Sequence, residues 1–411
     1  MSFFSFMRVA CLGFSSGLPY FLVISSLTLW LADVGLSYAA IGLLSWTSLP
    51  YVLKIFFSPF VDVVSWPYLT KYLGQRRSWG LVMQLIIIGS IYSLSLIDPV
   101  QQFGLLWVNC LILLTAAALQ DTVLEAYRIE MTPLASVGIL SSASYFGFRI
   151  GMWSSGYLCF LLSDLFSWRF SFRCMSVLMG IGLMGLLCCR ESVLPSKQIR
   201  YTMDGFFDVL KQTALSVWKT WPLFSIAIFL FSFKLGDIFI RSLWAPFLLT
   251  LGYSKIHIAQ VDKLIGISAM MLGGLLGGFL IAYWGLSRTL KIWGGLQTLG
   301  ALLFLAQALV GQHKALFMTS MIINHLAGGI GGTALITYMS CLCHAPYTAI
   351  QYAALSSFGS LCRILVTVFS SWCADHLSWT SFFILGTVCS LLSWILVVSR
   401  GRLKNNKEHA V

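Results

Sequence analysis

Asp121-Thr122-Val123-Leu124-Glu125-Ala126-Tyr127 has a counterpart 211 residues later, Gly332-Thr333-Ala334-Leu335-Ile336-Thr337-Tyr338. Other pairs follow in the same order. Tyr145-Phe146-Gly147 matches Ser357-Phe358-Gly359, Arg149 nearly matches Arg363, and Ser167-Trp168 matches Ser378-Trp379. Near the front, Val34-Gly35-Leu36-Ser37 with Ile41 resembles Leu251-Gly252-Tyr253-Ser254 with Ile258. One match in so biased a composition carries little weight. A shared order and a nearly shared offset point to a duplicated chain.

The repeated stretches sit in long apolar runs. The chain is 58% hydrophobic and 10% charged, with a mean hydropathy of +0.86, whereas soluble domains carry about 25% charged residues. Marking apolar runs of about 20 residues, the length that crosses a bilayer, predicts twelve spans. They cover 8–32, 40–61, 79–97, 103–126, 138–162, 169–189, 222–250, 258–283, 290–311, 315–340, 350–372 and 378–399. The expected fold is all-α and polytopic, with six spans in each half. An even number per half makes the repeats parallel, which is the major-facilitator organisation, with a substrate site expected between halves near the midplane. The expected divisions are an N-terminal bundle over 1–190, a linker over 191–221, a C-terminal bundle over 222–400 and a basic tail over 401–411. Within the linker, Met203–Trp218 has apolar positions at helical spacing and reads as a helix lying on the membrane surface.

The formal charge of +12 does not indicate nucleic acid. Arg8, Lys71, Arg76, Arg77, Arg128, Arg190, Lys197, Arg200, Lys211, Lys219, Arg288, Lys291, Arg400, Arg402, Lys404 and Lys407 belong to one alternate set of loops and ends, whereas Arg169, Lys255 and Lys314 fall in the other. That bias places both termini on the cytoplasmic side. The eleven cysteines fall mostly in or beside spans, as packing residues do. Cys341-x-Cys343-His344 lacks a second ligand cluster, so no metal is expected. No phosphate-binding G-x-x-x-x-G-K-[ST] is present, so ATP hydrolysis by this chain and a resident cofactor are not expected. No catalytic constellation stands out at an interface, and the chain is not expected to be an enzyme.

Asp121 and Glu125 lie one helical turn apart within the fourth span, on one face. A charge inside a span costs about 2.5–3.5 kcal/mol on insertion scales, so that face is expected to meet protein or water. The pair is the first candidate for chemistry in this chain. Lys54 is too deep in the second span to snorkel easily, and Tyr51 precedes it by one turn. Asp62 ends that span, and Arg76 and Arg77 follow in the next loop. These three read either as a conformational latch or, for the arginines, as membrane anchors. Lys234, Asp237 and Arg241 share a face of the seventh span. Lys234 and Asp237 can neutralise each other, leaving Arg241 for an anionic group. Asp262-Lys263 at the opening of the eighth span reads as a gate or anchor. Arg149 and Arg363 have no acid nearby in sequence. Each either pairs with a buried acid, with Arg149 the expected partner of Asp121, or clasps a substrate carboxylate or phosphate. Glu125 has the alternative of an inner gate with Arg128. Tyr51 and Tyr127 each neighbour a buried charge and are substrate-binding candidates.

These segments together resemble the AmpG-type muropeptide permease family along nearly the whole chain. The resemblance rests on Gly13-Phe14-Ser15-Ser16-Gly17-Leu18-Pro19, Tyr51-Val52-Leu53-Lys54, Gly74-Gln75-Arg76-Arg77-Ser78-Trp79, Gln120-Asp121, Phe148-Arg149-Ile150-Gly151-Met152, Lys234-Leu235-Gly236-Asp237 and Gln351-Tyr352-Ala353-Ala354. It implies proton-driven import of anhydro-muropeptides, sugars bearing a short peptide, across a bacterial inner membrane for cell-wall recycling, by a monomer. Peptide carboxylates would meet Arg149, Lys234, Arg241 or Arg363, sugar hydroxyls would meet Gln120, Gln351 and Tyr127, and Asp121 or Glu125, the proton-coupling candidates, would carry the proton. Glu125 stands where the family pattern suggests Asp, Asn324 where relatives can carry an acid, and the chain closes after twelve spans. A carrier of another anion such as an acyl-CoA, or a flippase for a lipid-linked substrate, remains the alternative.

Overall fold

The computed structural model describes residues 3–133, 136–189, 223–343 and 348–400, and every regular element among them is helical. The twelve expected spans are all present. The first, Phe3–Asp33, is continuous but takes a π-turn at Leu22–Leu27, just after Pro19 removes a backbone donor. The second is assembled from Tyr38–Leu44, a 3₁₀ turn at Ser45–Ser48, Leu49–Val52 and Lys54–Val63. Gln75–Leu94, Phe103–Met131, Val137–Leu165 with a π-turn at Ser154–Leu158, and Trp168–Leu187 complete the first six. Leu223–Arg241 with Trp244–Thr250 forms the seventh. The eighth runs from Lys255 through a π-turn at Val261–Gly266 to residue 284, and the ninth follows to Val310. Lys314–Leu342, Thr348–His376 and Trp379–Arg400 are the last three. The expected surface helix 203–218 and the tail 401–411 lie outside the described residues.

The duplication is written into the turns. Gly74 (φ 83°, ψ 171°) separates Pro67–Leu73 from the third span, and Gly285 (φ 79°, ψ 162°), again 211 residues on, separates the eighth span from the ninth. Positive φ at both positions is a conformation that side-chain-bearing residues resist. Gly35 (φ 80°) and Gly252 (φ 88°) end the first and seventh spans alike. In each case the next residue's N–H reaches back to a helical carbonyl, Leu36 to Leu31 at 3.1 Å and Tyr253 to Leu248 at 3.2 Å. The following serines, Ser37 and Ser254, then accept from the backbone N–H three residues on, Ala40 at 3.3 Å and His257 at 3.2 Å. Ser167 and Ser378 cap the sixth and twelfth spans in the same way.

Cα packing divides the chain into two compact units. One holds the described residues of 1–216 together with Ser340–Ser357; the other holds those of 217–339 and from Phe358 onward. The first unit's core is aliphatic, built on Leu18, Leu22, Leu27, Ile87, Ile91 and Leu113, and it includes Ala349. The second is aromatic, with Phe239, Phe247, Phe304, Phe317, Phe382 and Phe383 packed together. Since lipid supplies no hydrophobic drive between spans, close backbone approach takes over. The first and fifth spans cross so closely that a Cβ on Gly147 would lie 1.9 Å from the Ala10 carbonyl oxygen, and one on Gly13 2.2 Å from that of Ser144. Farther along the same crossing, Ser26 in one π-turn donates to the Ser155 carbonyl in the other. In the second unit, Gly273 and Gly329 bring the eighth and tenth spans equally close.

Replacing Gly147 with valine should therefore force apart the crossing of spans one and five. The expected loss is about 1–3 kcal/mol, the usual cost of overpacking, read as a lower midpoint of heat-induced aggregation of the purified protein. A Gly89→Ala control, at a position with open space, should leave that midpoint unchanged.

Candidate functional site

The fourth span carries the site. Asp121, Glu125, Arg128 and Glu130 follow one another along it, so about 13 Å of helix holds three acids and a base at 1.5 Å rise per residue. The break at Leu53, where the second span leaves helical geometry, sets Lys54 at the start of a new helix facing this row. Lys54 is the cationic neighbour of both Asp121 and Glu125. Asp121 also accepts from Ser16 of the first span, whose small side chain fits beside the close crossing. Its Oδ1 is buried with no hydrogen-bond partner among the described residues. Tyr51, one turn before Lys54, packs its ring 4.6 Å from Tyr20 and faces Asp121 with a buried hydroxyl that has no hydrogen-bond partner among the described residues.

Glu125 is shared. Besides Lys54, it accepts from Arg128 Nε at 3.0 Å, with Arg128 Nη2 on the same oxygen. Arg128 is buried and uses its remaining donors on Ser141 (2.9 Å) and Ser340 (2.9 Å). The Tyr352 hydroxyl stands close to both Glu125 and Arg128. Two acids and two bases thus meet in a buried space, formally neutral when all four are ionised. This corrects the expected pairing of Asp121 with Arg149. Arg149 instead donates to the Tyr145 hydroxyl at 2.8 Å and lies 4.7 Å over the centre of that ring, a cation–π contact within its own helix.

A second cluster lies at the ends of these spans. Arg76 Nη2 bonds Asp62 at 2.7 Å and Glu130 at 2.6 Å, with all three side chains at most 8% exposed. Asp62 also accepts from the backbone N–H of Ile350 at 3.2 Å, and Thr348 donates to Glu130. The segment Ser340–Ser357 is therefore held by the first unit at Ser340, Thr348 and Ile350. Of the expected latch trio, Asp62 and Arg76 are joined, and Arg77 is elsewhere, donating to the Leu187 carbonyl at 3.0 Å. Glu130 and Thr348 were not among the sequence candidates. A carboxylate five residues beyond Glu125 on the same helix was the available signal.

The other candidates are placed as follows. Gln120 is fully buried and donates to the Ser15 carbonyl at 3.1 Å, tying the first span to the fourth. Tyr127 is buried among Leu12, Leu124 and Leu186. Gln351 is buried at 8% exposure within the held segment, and Arg363 is exposed on the eleventh span. In the seventh span Arg241 lies 3.7 Å from Asp237, so the expectation of an unpaired Arg241 is corrected. The Lys234 side chain lies outside the described residues.

No family model matches the chain. It is 31% identical over 392 residues to "Putative transporter AmpG 3" of Rickettsia prowazekii (strain Madrid E), covering 93% of each chain. It is 28% identical over 401 residues to "Putative transporter AmpG 1" of Rickettsia bellii (strain RML369-C), covering 96% of this chain and 97% of that one. Among solved structures, the major-facilitator proton:xylose symporter XylE bound to 6-bromo-6-deoxy-D-glucose superposes with a TM-score of 0.65 at 18% identity, over 96% of this chain and 95% of that one.

If the Asp62–Arg76–Glu130 cluster holds Ser340–Ser357, removing Arg76 leaves two buried carboxylates uncompensated, a loss of about 3–5 kcal/mol. A cysteine placed at Ala349, which is fully buried, should react with maleimide several-fold faster when Arg76→Ala is added, measured against the same protein without the added cysteine. The relatives and the fold agree with the twelve spans and the buried charges: the chain is a membrane-embedded transporter with a major-facilitator fold, and it belongs to the AmpG transporter family.

Proposed function

We propose that this protein imports anhydro-muropeptides by proton symport, supplying a peptidoglycan-recycling pathway, and works as a monomer in the inner membrane with both termini cytoplasmic. The halves are taken as 1–190 and 222–400, joined by the cytoplasmic linker 191–221 and ending in the basic tail 401–411. The observation that carries the proposal is the buried set Lys54, Asp121, Glu125 and Arg128. Asp121 has Lys54 as its cationic neighbour and one carboxylate oxygen without a hydrogen-bond partner among the described residues. A proton on Asp121 releases Lys54 from that acid. The freed ammonium then suits a peptide carboxylate of the substrate, while Tyr51 and Tyr20 offer a hydroxyl and ring faces to its sugar. Loss of the proton restores the Lys54–Asp121 attraction and expels the competing anion. Proton and substrate anion are thus bound together or not at all, which is the requirement for symport. Arg149, Lys234, Asp237, Arg241, Gln351 and Arg363 stay as candidates for the rest of a ligand of this size, and Gln120 and Tyr127 for its sugar hydroxyls.

The test is uptake of labelled anhydro-muropeptide into membrane vesicles under an imposed proton gradient. The intact chain should accumulate it uphill. Asp121→Asn should lower uphill accumulation roughly tenfold or more, equivalent to about 1.4 kcal/mol of lost coupling, while permitting downhill exchange. Uphill, gradient-dependent uptake in both Asp121→Asn and Glu125→Gln would show that coupling lies elsewhere. Uptake of an acyl-CoA-like anion or movement of a lipid-linked sugar, with none of the muropeptide, would replace this substrate assignment.

A further inference from the structure

The second unit contains an acid–imidazole pair whose positions carry Tyr51 and Leu114 at the repeat offset in the first. Asp262, in the π-turn Val261–Gly266 of the eighth span, places Oδ1 3.1 Å from Nε2 of His325 in the tenth. The other ring nitrogen, Nδ1, lies 2.9 Å from the Met321 carbonyl oxygen of its own helix. A carbonyl oxygen only accepts, so Nδ1 carries a hydrogen. A neutral imidazole protonated at Nδ1 presents a bare lone pair at Nε2. An ionised carboxylate presents only lone pairs as well. At 3.1 Å these two acceptors need a hydrogen between them. It is either the Nε2–H of an imidazolium donated to a carboxylate or the O–H of protonated Asp262 donated to a neutral ring. In both forms the pair holds one proton beyond its bare state.

The surroundings fix this contact. A Cβ on Gly266 would lie 2.7 Å from Nε2, so the ring occupies space that any larger residue would fill. The His325 side chain is 7% exposed and that of Asp262 20%, so the acid is the more accessible member of the pair. From the seventh span, the Arg241 guanidinium sits against Gly328, one turn beyond His325, and is matched by Asp237 at 3.7 Å. From Lys255–Gln260, His257 faces Phe317 and Tyr253. The ninth span contributes Gly300 against the uncharged Asn324. Lys255 and Lys263 share the segment of Asp262, and His313 and Lys314 stand at the far end of the tenth span. At the repeat offset of 211, His325 corresponds to Leu114.

We propose that Asp262 and His325 form a proton-binding site of the second unit, separate from the Asp121 cluster. Its use in driving transport rests on the proton-symport reading above; the site itself does not.

The experiment is nitrogen-15 NMR of ring-labelled histidine in the full-length chain, purified into lipid nanodiscs, with carbon-13 in the aspartate carboxyls. Six histidines contribute, and His325→Gln identifies the one in question. At pH 7 the His325 signal should show either both ring nitrogens protonated or Nδ1–H with a protonated Asp262 carboxyl. Asp262→Asn should leave only the Nδ1 proton. A neutral ring protonated at Nε2, or a neutral ring beside an ionised Asp262, overturns the site; the unmutated protein alone can give that result. In vesicles, His325→Gln should keep downhill exchange and lose uphill accumulation. Accumulation equal to that of the intact chain would remove the pair from coupling. If the intact chain itself ignores the gradient, the symport reading fails while the NMR result for the site stands.

Discussion

A charge in a bilayer must be balanced by another charge within reach, and this constraint governs the first unit. Four ionisable side chains, Lys54, Asp121, Glu125 and Arg128, occupy a region where each alone would cost several kcal/mol. The chain departs from regular geometry to bring them together. The second span breaks at Leu53 to set Lys54 against the fourth. The first span yields Ser16 to Asp121 and crosses the fifth on glycines, close enough for backbone to touch backbone. A straight second helix with Lys54 facing lipid would satisfy helix propensity and fail electrostatically.

The duplicated chain shares its turns and divides its charges. Gly74 and Gly285, Gly35 and Gly252, Ser167 and Ser378 keep the same local geometry in both halves, because a turn between two spans has few solutions. Polar chemistry diverged on that frame. Asp121 and Glu125 face Gly332 and Ile336 at the repeat offset, Asp62 faces Gly273, and Leu114 faces His325. Divergence of this kind lets one half hold a charge network while the other holds an acid–imidazole pair, without altering span lengths or connections.

What the sequence made legible follows from the range of each signal. Span positions depend on runs of about 20 apolar residues and are local, so all twelve were readable, including the weakly regular second. Asp121, Glu125 and Lys54 stood out because a charge in an apolar run is costly wherever it sits. Their partners are a matter of three-dimensional reach, and there sequence proximity misled. Arg149 is on the next span after Asp121 but turns to Tyr145, while Lys54, 67 positions earlier in the chain, supplies the counter-charge. Arg241 finds Asp237 within its own helix, as an i,i+4 pair readily does. His325 and Glu130 escaped notice for opposite reasons. A histidine carries little hydropathy signal, and Glu130 lies at a helix end, where an acid needs no special explanation until Arg76 is seen between it and Asp62.

The fourth span joins the two clusters of the first unit into one device. Glu125 accepts from Arg128, and Arg128 also donates to Ser340. Two residues beyond Arg128, Glu130 shares Arg76 with Asp62 and receives Thr348. Ser340 and Thr348 belong to the same segment, and Tyr352 of that segment stands beside Glu125. In the symport cycle proposed above, a proton or an anion beside Asp121 would alter the balance between Lys54 and Glu125. Glu125 would then change its hold on Arg128, whose further donor fastens Ser340. No mechanical lever is needed for the charge state of the buried acids to reach the clasped segment. The path runs from Lys54 on the second span to Glu125 and Arg128 on the fourth, and each can satisfy one neighbour only at the expense of another.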